Sequence, residues 1–488
     1  MKILFVSPEA VPFAKSGGLA DVPGALPRAL ADLGHEVFLF VPKYHQVDER
    51  KFHLAKMKVK LRVPVAQRVE PAQLYAAQTG SGLKALFLRK NAYYDRDQLY
   101  GTRDGDFEDN AERFTFFSRA VPEAALALGL EPDIIHCHDW QTGLVPVYLK
   151  TLYRDHSALA RSASVFTIHN MGYQGIFCHY DMQLTNLGWE LFTPRALEYY
   201  GKINFLKGGI LFADAVTTVS RRYMEEIQTP EFGFGLDGVL KDRKEDLFGI
   251  LNGVDYEEWS PEKDPFLRQR YSAEDLSGKR ACKADLQREM SLPEREEVPL
   301  IGIISRLIEQ KGFDLIAAIL PELMGEDLQL VLLGTGEEKY HLLFSDLDRK
   351  YPGRIGLRLA YDNPLAHKIE AGADMFLMPS RYEPCGLNQI SSLKYGTVPI
   401  VRATGGLDDT IQDFDRQRQE GNGFKFREYS PEALLATIRR ALKTYRDRPV
   451  WEALMRRGMA ADFSWRRSAE AYLRVYESAR RKKGLAGG

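Results

Sequence analysis

Cysteine is scarce in this chain. The four at 137, 178, 282 and 385 show no C-x-x-C spacing, which argues against a disulfide framework and against a thiolate zinc site. Reduced thiols in a cytosolic protein fit that usage. A charge excess is also missing: 66 basic residues face 67 acidic ones, a formal net charge of -1. The clustered basic surplus of a nucleic-acid binder is therefore absent. The basic run Arg480-Arg481-Lys482-Lys483 reads as a solvated, frayed terminus. No apolar stretch approaches membrane-spanning length. The opening MKILFVSPE has an apolar run too short for the core of a secretion signal and reads as a first strand. The expectation is a cytoplasmic protein with no membrane or nucleic-acid partner, its fold beginning at Met1.

What is present is a repeated alternation of strands and helices. At 488 residues the chain exceeds the size at which one hydrophobic core stops growing, so at least two domains are expected. Lys2 to Ser7 reads as a strand, Ala20 to Leu33 as a helix with Gly34 as C-cap, and Glu36 to Val41 as the next strand. Strands over 133–136, 164–168, 214–219 and 248–251 end in polar residues. The pattern restarts at 299–304, followed by a helix from Phe313, then strands at 328–333, 356–359, 375–377 and 398–401. Continuous apolar strands alternating with helices imply parallel sheets covered on both faces, and two such series imply two doubly wound α/β domains. The junction falls near Asn252 to Pro265. The last helix, Trp465 to Arg481, is placed to cross back onto the first domain.

Ligands of such sheets bind at the carboxyl ends of strands, where helix N-termini offer unpaired N–H groups. The segment Met378-Pro379-Ser380-Arg381-Tyr382-Glu383-Pro384-Cys385-Gly386-Leu387 sits at such an end and delivers Arg, Glu and Cys into a turn before a helix. Arg306 and Lys311 flank the loop after the strand at 299–304, two cations suited to a diphosphate leaving group; an exposed pair with Glu309 is the alternative. Near the amino end, Lys15-Ser16-Gly17-Gly18 combines a cation with glycines that let a backbone approach a phosphate, or forms a plain structural turn. An echo follows: SGGLAD at 16–21, with Asp21 in the first helical turn, and TGGLDD at 404–409. This amino-end loop has no Walker signature and no full G-x-G-x-x-G, so a dehydrogenase is disfavoured. His136, His138 and Asp139 lack a third ligand at metal spacing. His169-Asn170 reads as sugar-facing or as a buried structural pair. Glu383 binds sugar hydroxyls or caps the following helix, and no second carboxylate of a glycosidase pair accompanies it. Cys385 reads as a contact, not a nucleophile.

Taken together, KILFVSPEAVPFAKSGGLADVPGALPRAL, HDWQTGL, FTIHNMGYQG, GILNGVD, SRLIEQKGFDLI, SRYEPCGLNQ and VRATGGLDDT span the chain. In this order the segments resemble the glycogen synthase family, which includes the plant starch synthases. The resemblance implies two Rossmann-like domains facing a central cleft, the GT-B architecture. Residues 1–255 would form the acceptor side with part of the donor site, 256–464 the nucleotide-sugar domain, and a helix at about 465–488 would pack back on the first. It implies transfer of glucose from ADP-glucose to an α-1,4-glucan with retention of configuration, and no metal or other cofactor. Carried over by motif, His169, Arg306, Lys311 and Glu383 would do the catalytic work. Lys15, Gly17, Gly18, Asp21, Tyr94, Asp139, Asn170, Asn252, Tyr361, Cys385, Gly386 and Leu387 would hold substrate. Related retaining transferases, including sucrose-phosphate-synthase-like enzymes, carry a second Glu eight residues after the first; here that position is Ser391, as in the glycogen synthase pattern. The resemblance also implies domain closure and a front-face transfer. Two rival readings stay open: a related transferase using UDP-glucose or another acceptor, and a glucan-binding protein with Trp140 and Tyr93-Tyr94 as sugar platforms.

Overall fold

The computed structural model describes residues 1–79, 82–102 and 105–484. The chain divides into two compact units. Unit 1 comprises Met1–Val219, Met224–Gly253 and the chain from Trp465 onward; unit 2 comprises Ser220–Tyr223 and Val254–Ser464.

The large sheet of unit 1 is built from β1 (Lys2–Val6), β2 (Glu36–Pro42), β3 (Ala55–Val65), β4 (Arg68–Thr79), β5 (Leu83–Arg89), β6 (Ile134–His138), β7 (Ala163–Ile168), β8 (Ala215–Thr218) and β9 (Leu247–Gly249). Their order across the sheet is β9-β8-β7-β6-β1-β2-β5-β4-β3. The strands run parallel except around the β3–β4 hairpin, which pairs antiparallel with β5. The chain winds outward from β1 in both directions, so the strand order reverses between β1 and β6. That reversal is where open α/β sheets bind ligands. The registers Phe5↔Leu39 and Phe5↔His136 fix the two central strands, and Ile3, Phe5, Val6, Ile134 and Ile135 have no exposed surface. Each such side chain stabilises by about 1.5–3 kcal/mol through burial.

The hairpin β3–β4 is absent from the expectations above. Lys56-Met57-Lys58-Val59-Lys60-Leu61-Arg62-Val63 alternates cation with apolar residue at the period of a strand covered on one face. Lysines on the open face of this edge strand discourage pairing with another chain. Strand β5 and a small sheet of Ile176–Cys178, Glu198–Tyr199 and Lys202–Asn204 are likewise additions.

The helix Trp465–Lys482 belongs to unit 1 and buries Trp465, Ser468, Ala469, Tyr472, Val475, Tyr476 and Ala479 in one stripe. Ser468 Oγ donates to the Leu251 carbonyl at 2.7 Å, and the Tyr476 hydroxyl meets His136 Nδ1 at 2.8 Å. The frayed basic terminus is a correction. Arg480 pairs with Asp133 at 3.4 Å, Lys482 pairs with Asp246, and Lys483 Nζ donates to the Ala160 carbonyl at 3.0 Å. These cations finish a helix C-terminus against acceptors of the same unit.

Unit 2 holds β10 (Leu300–Ile304), β11 (Gln329–Leu333), β12 (Ile355–Arg358), β13 (Met375–Met378), β14 (Val398–Arg402) and β15 (Phe424–Phe426). They form one sheet in the order β12-β11-β10-β13-β14-β15, parallel throughout. This is the 3-2-1-4-5-6 order of a Rossmann fold, with its reversal between β10 and β13. Helix Phe313–Leu323 follows β10 and buries Phe313, Leu315, Ile316, Ile319, Leu320 and Leu323 against the sheet. At the amino ends of the central strands, Asp374 accepts from Leu300 N at 2.8 Å and Lys283 Nζ at 2.7 Å. Among the described residues no helix is long and apolar enough to cross a membrane.

Candidate active site residues in each unit

In unit 1 the reversal between β1 and β6 gathers two loops. After β1, the chain runs through Ser7 and Glu9 to Lys15 and then Gly17-Gly18. A short 3₁₀ turn, Gly18–Ala20, precedes the helix Asp21–Asp32, so the glycines lead into a turn and not directly into the helix. Lys15 Nζ pairs with Asp21 at 2.7 Å, both partly exposed. Gly17 is extended, with φ -157° and ψ -167°, and among the described residues no atom beyond the immediate chain neighbours lies within 4 Å of a Cβ built on Gly17 or Gly18.

After β6, Asp139 takes φ 53° and ψ -178°, a backbone region that strongly favours glycine. The strain is held by bonds on both sides: Asp139 N donates to the Thr167 carbonyl at 2.9 Å, and its carboxylate accepts from His169 N at 2.7 Å. His138 Nδ1 and His169 Nε2 share a hydrogen bond of 2.9 Å, and His136 Nε2 meets Thr167 Oγ1 at 2.6 Å. Burial holds all three imidazoles far below their usual titration range, His169 at about 3, so they are neutral at pH 7. Burial also pushes the Asp139 carboxyl up to about 8, helped by the nearby Glu9. His138 and His169 thus join strand ends β6 and β7. Asn170 follows and accepts from Gly172 N at 2.9 Å.

Two further sequence-derived residues lie apart from this group. Tyr94 ends the short helix after β5; its ring is fully buried and its hydroxyl donates to the Arg113 carbonyl at 2.9 Å. Asn252 follows the edge strand β9 and is buried, its Oδ1 without a partner among the described residues. The proposed sugar platforms are core residues: Trp140, Tyr93 and Tyr94 are each under 8% exposed, and Trp140 packs edge-on to Phe114 at 4.9 Å. That removes the feature on which the binding-only reading rested.

In unit 2 the loops after β10 and β13 meet at the strand-order reversal. Arg381 N donates to the Gln310 carbonyl at 2.8 Å, fixing one loop to the other. Lys311 Nζ is bound to Glu383 Oε2 at 2.6 Å, and Ser380 Oγ donates to the same oxygen at 2.9 Å. Glu383 is 6% exposed. The sequence left open an Arg306/Lys311 pairing with Glu309; the structure gives Glu309 to Arg381 at 3.4 Å. Arg306 is exposed; its carbonyl accepts from Ile308 N at 3.0 Å, while its guanidinium forms no hydrogen bond or ion pair among the described residues. Its side chain and the Lys311–Glu383 pair combine one open cation with one neutralised one.

Cys385 is buried and its carbonyl accepts from Gln389 Nε2 at 3.0 Å; Gly386 turns the chain at φ 69°, and Leu387 caps the helix Asn388–Lys394. Gly406 N donates to the Glu383 carbonyl at 3.1 Å, so the second Gly-Gly loop braces the first carboxylate's backbone. Tyr361 lies elsewhere, after the edge strand β12, with 82% of its surface exposed. Among the described residues no three His, Cys, Asp or Glu gather as metal ligands.

Sequence reasoning missed Glu9 and Ser380. Ser380 stood within the quoted segment, three residues before the carboxylate it touches. Glu9 carries no local signal, because its partner Tyr100 lies 91 residues away.

Comparison with known proteins gives a consistent picture. Residues 2–242 match the family described as starch synthase catalytic domain, and residues 287–454 match glycosyl transferases group 1. A glycogen synthase of Koribacter versatilis is 54% identical over 98% of each chain. One of Anaeromyxobacter sp. is 50% identical over 98% of this chain and 99% of its own. Among solved structures, the catalytic domain of starch synthase IV from Arabidopsis thaliana, bound to ADP and acarbose, aligns with TM-score 0.91 at 34% identity. It covers 98% of this chain and 99% of that one. A sucrose-phosphate synthase from Thermosynechococcus elongatus, 17% identical with TM-score 0.61, shares the fold.

Proposed function

The chain belongs to the starch and glycogen synthase family of glycosyltransferases, and from that premise we propose that it elongates glycogen. It transfers glucose from ADP-glucose to the non-reducing end of an α-1,4-glucan with retention of configuration, in the cytoplasm and without a metal. The observation that carries this reading is the Lys311–Glu383–Ser380 cluster beside the open Arg306, at the strand-order reversal of unit 2.

Arg306 and Lys311 stabilise the charge that develops on ADP as the bond between glucose C1 and the diphosphate oxygen breaks. The acceptor's 4-hydroxyl forms the new bond to C1 from the face the diphosphate leaves, and its proton passes to the departing phosphate oxygen. Glu383, paired with Lys311, accepts from glucose hydroxyls, with Cys385, Gly386 and Leu387 along the same turn. In unit 1, neutral His169 spends Nε2 on His138 and keeps Nδ1 for a sugar hydroxyl. Asp139 and Asn170 line that part of the sugar, and Lys15 with Gly17, Gly18 and Asp21 meets the donor. Tyr94 and Asn252, buried apart from these loops, take no part in this reading, and Tyr361 offers its ring to the donor base.

The test is glucose incorporation into glycogen from ADP-glucose, with UDP-glucose in parallel and Lys311→Ala and Glu383→Ala as variants. Rates from ADP-glucose should fall by about 10²- to 10³-fold in both. Removing either partner strands the other's charge, so melting temperatures are measured alongside. Activity from UDP-glucose alone would overturn the donor, and a covalent glucosyl-enzyme trapped on an Asp or Glu would overturn the front-face route.

A further inference from the structure

The loop that carries Lys15 and the two open glycines is tied down by a buried carboxylate. Glu9 is 3% exposed and accepts from Ser16 N at 2.5 Å, from Ser16 Oγ at 2.9 and 3.1 Å, and from the Tyr100 hydroxyl at 3.0 Å. Its own backbone is fixed by Ser7, whose Oγ donates to the Glu9 carbonyl at 2.7 Å. The carboxylate thus joins the end of β1 to the residue between Lys15 and Gly17, and to a tyrosine from another part of unit 1.

A buried carboxylate is costly unless its oxygens are satisfied by donors. Here donors come from the loop itself, so the charge of Glu9 and the shape of the loop depend on each other. Nothing in the chain's own packing requires glycine at 17 and 18, where a Cβ would meet no atom within 4 Å. The space above them is left open while the residue below is clamped. A loop arranged in that way is rigid on its inner side and vacant on its outer side, as a ligand-facing backbone needs to be.

We propose that Glu9 is a positioning residue for the donor: it holds Ser16 so that the Lys15 ammonium and the Gly17-Gly18 backbone are set for the nucleotide sugar. This rests on the donor reading given above. Burial also raises the Glu9 carboxyl's affinity for protons, against the lowering by its Ser16 and Tyr100 donors. Replacing Glu9 by Gln keeps the volume and one acceptor oxygen, but turns an NH2 group toward donors that need acceptors.

The experiment measures ADP-glucose affinity by calorimetry and KM for ADP-glucose and for glycogen in Glu9→Gln, Tyr100→Phe, Ser16→Ala and the Glu9→Gln/Ser16→Ala double variant. Glu9→Gln should weaken ADP-glucose about tenfold, equivalent to about 1.4 kcal/mol, with KM for glycogen unchanged. Tyr100→Phe, which removes one donor and keeps the ring, should give a smaller loss of the same kind. The double variant should lose about as much as Glu9→Gln alone, because both changes act on one contact. Unchanged ADP-glucose affinity in Glu9→Gln and Tyr100→Phe, or losses shared equally by both substrates, would overturn the proposal. The wild-type titration separates the two levels: no ADP-glucose binding there would remove the donor reading, and this inference with it, before any variant is considered.

Discussion

Two loops of this protein carry nearly the same letters, Ser16-Gly17-Gly18-Leu19-Ala20-Asp21 in unit 1 and Thr404-Gly405-Gly406-Leu407-Asp408-Asp409 in unit 2. Each sets an aspartate against a lysine: Asp21 with Lys15 at 2.7 Å, Asp408 with Lys425 at 2.6 Å. Their glycines answer different demands. Gly405 takes φ 45°, and a Cβ there would overlap the Glu383 carbonyl; one on Gly406 would overlap the Cys385 backbone. The second pair is required by the packing of the chain on itself. The first pair borders open space in ordinary backbone conformations, so the fold makes no such demand on it. One string of letters therefore encodes a packing device in one unit and, on the donor reading proposed above, a binding surface in the other.

The sharpest way to break this contrast is alanine at each pair. Gly406→Ala should destabilise unit 2 by about 3 kcal/mol through overpacking against immovable backbone, lowering Tm by about 6–12 °C. Differential scanning calorimetry reads this directly, and a melting point within about 1 °C of wild type would refute the packing account.

Acid should separate the units next. Folded His136, His138 and His169 stay neutral where their unfolded counterparts, with pKa about 6.5, take up protons. The unfolded state then binds more protons below pH 6.5, so their contribution is present above that pH and is lost as pH falls. Asp139, raised to about 8, binds a proton in the folded state and opposes this over roughly pH 4 to 8, and Glu9, raised above its ordinary value, acts in the same direction. As pH falls from about 6.5 to 5 the unfolded imidazoles fill with protons and the three histidines come to outweigh the two acids, so unit 1 loses stability toward pH 5. Glu370 of unit 2, pushed up to about 8, favours the folded state on acidification over the same interval. Urea unfolding at pH 7 and 5 with pulsed hydrogen exchange should show unit 1 weakening and unit 2 not; equal weakening would contradict the burial argument.

The smallest effect on stability, and the most specific on function, is expected at the first loop. Gly17→Ala should leave Tm within about 1 °C of wild type, as a change in open space does. The KM for ADP-glucose should rise about tenfold, the price of a methyl group where a ligand approaches. A fall in Tm without a change in KM would assign the glycine to structure after all.

The parallel framework was legible because its strands are continuous apolar runs ending in polar residues. The strand-order reversal of unit 2 then placed Lys311 near Glu383, and the pairing of neighbouring strands β6 and β7 placed His138 near His169, without any long-range information beyond strand order. The β3–β4 hairpin went unread although its alternation of Lys and apolar residues is plain, since a search for continuous apolar runs passes over a strand covered on one face. Glu9 was invisible for a different reason: a buried carboxylate looks like a loop carboxylate until its donors, Ser16 and Tyr100, are brought to it by the fold. The burial of Tyr94 and Trp140 was hidden likewise, because aromatic residues carry the same letters in a core as on a platform.

The helix Trp465–Lys482 has a consequence for how the molecule is made. Unit 1 holds the earliest strands, yet it also needs Ser468 at Leu251 and Tyr476 at His136, and those residues leave the ribosome only after unit 2. Unit 2 lies wholly between, so every residue it requires is synthesised while unit 1 still lacks its final helix. The second unit in the sequence is thus the first able to finish folding. The first must wait with the face of β6 around His136 uncovered until that helix is made, exposed to chaperones and to misassembly for the time it takes to make more than two hundred residues.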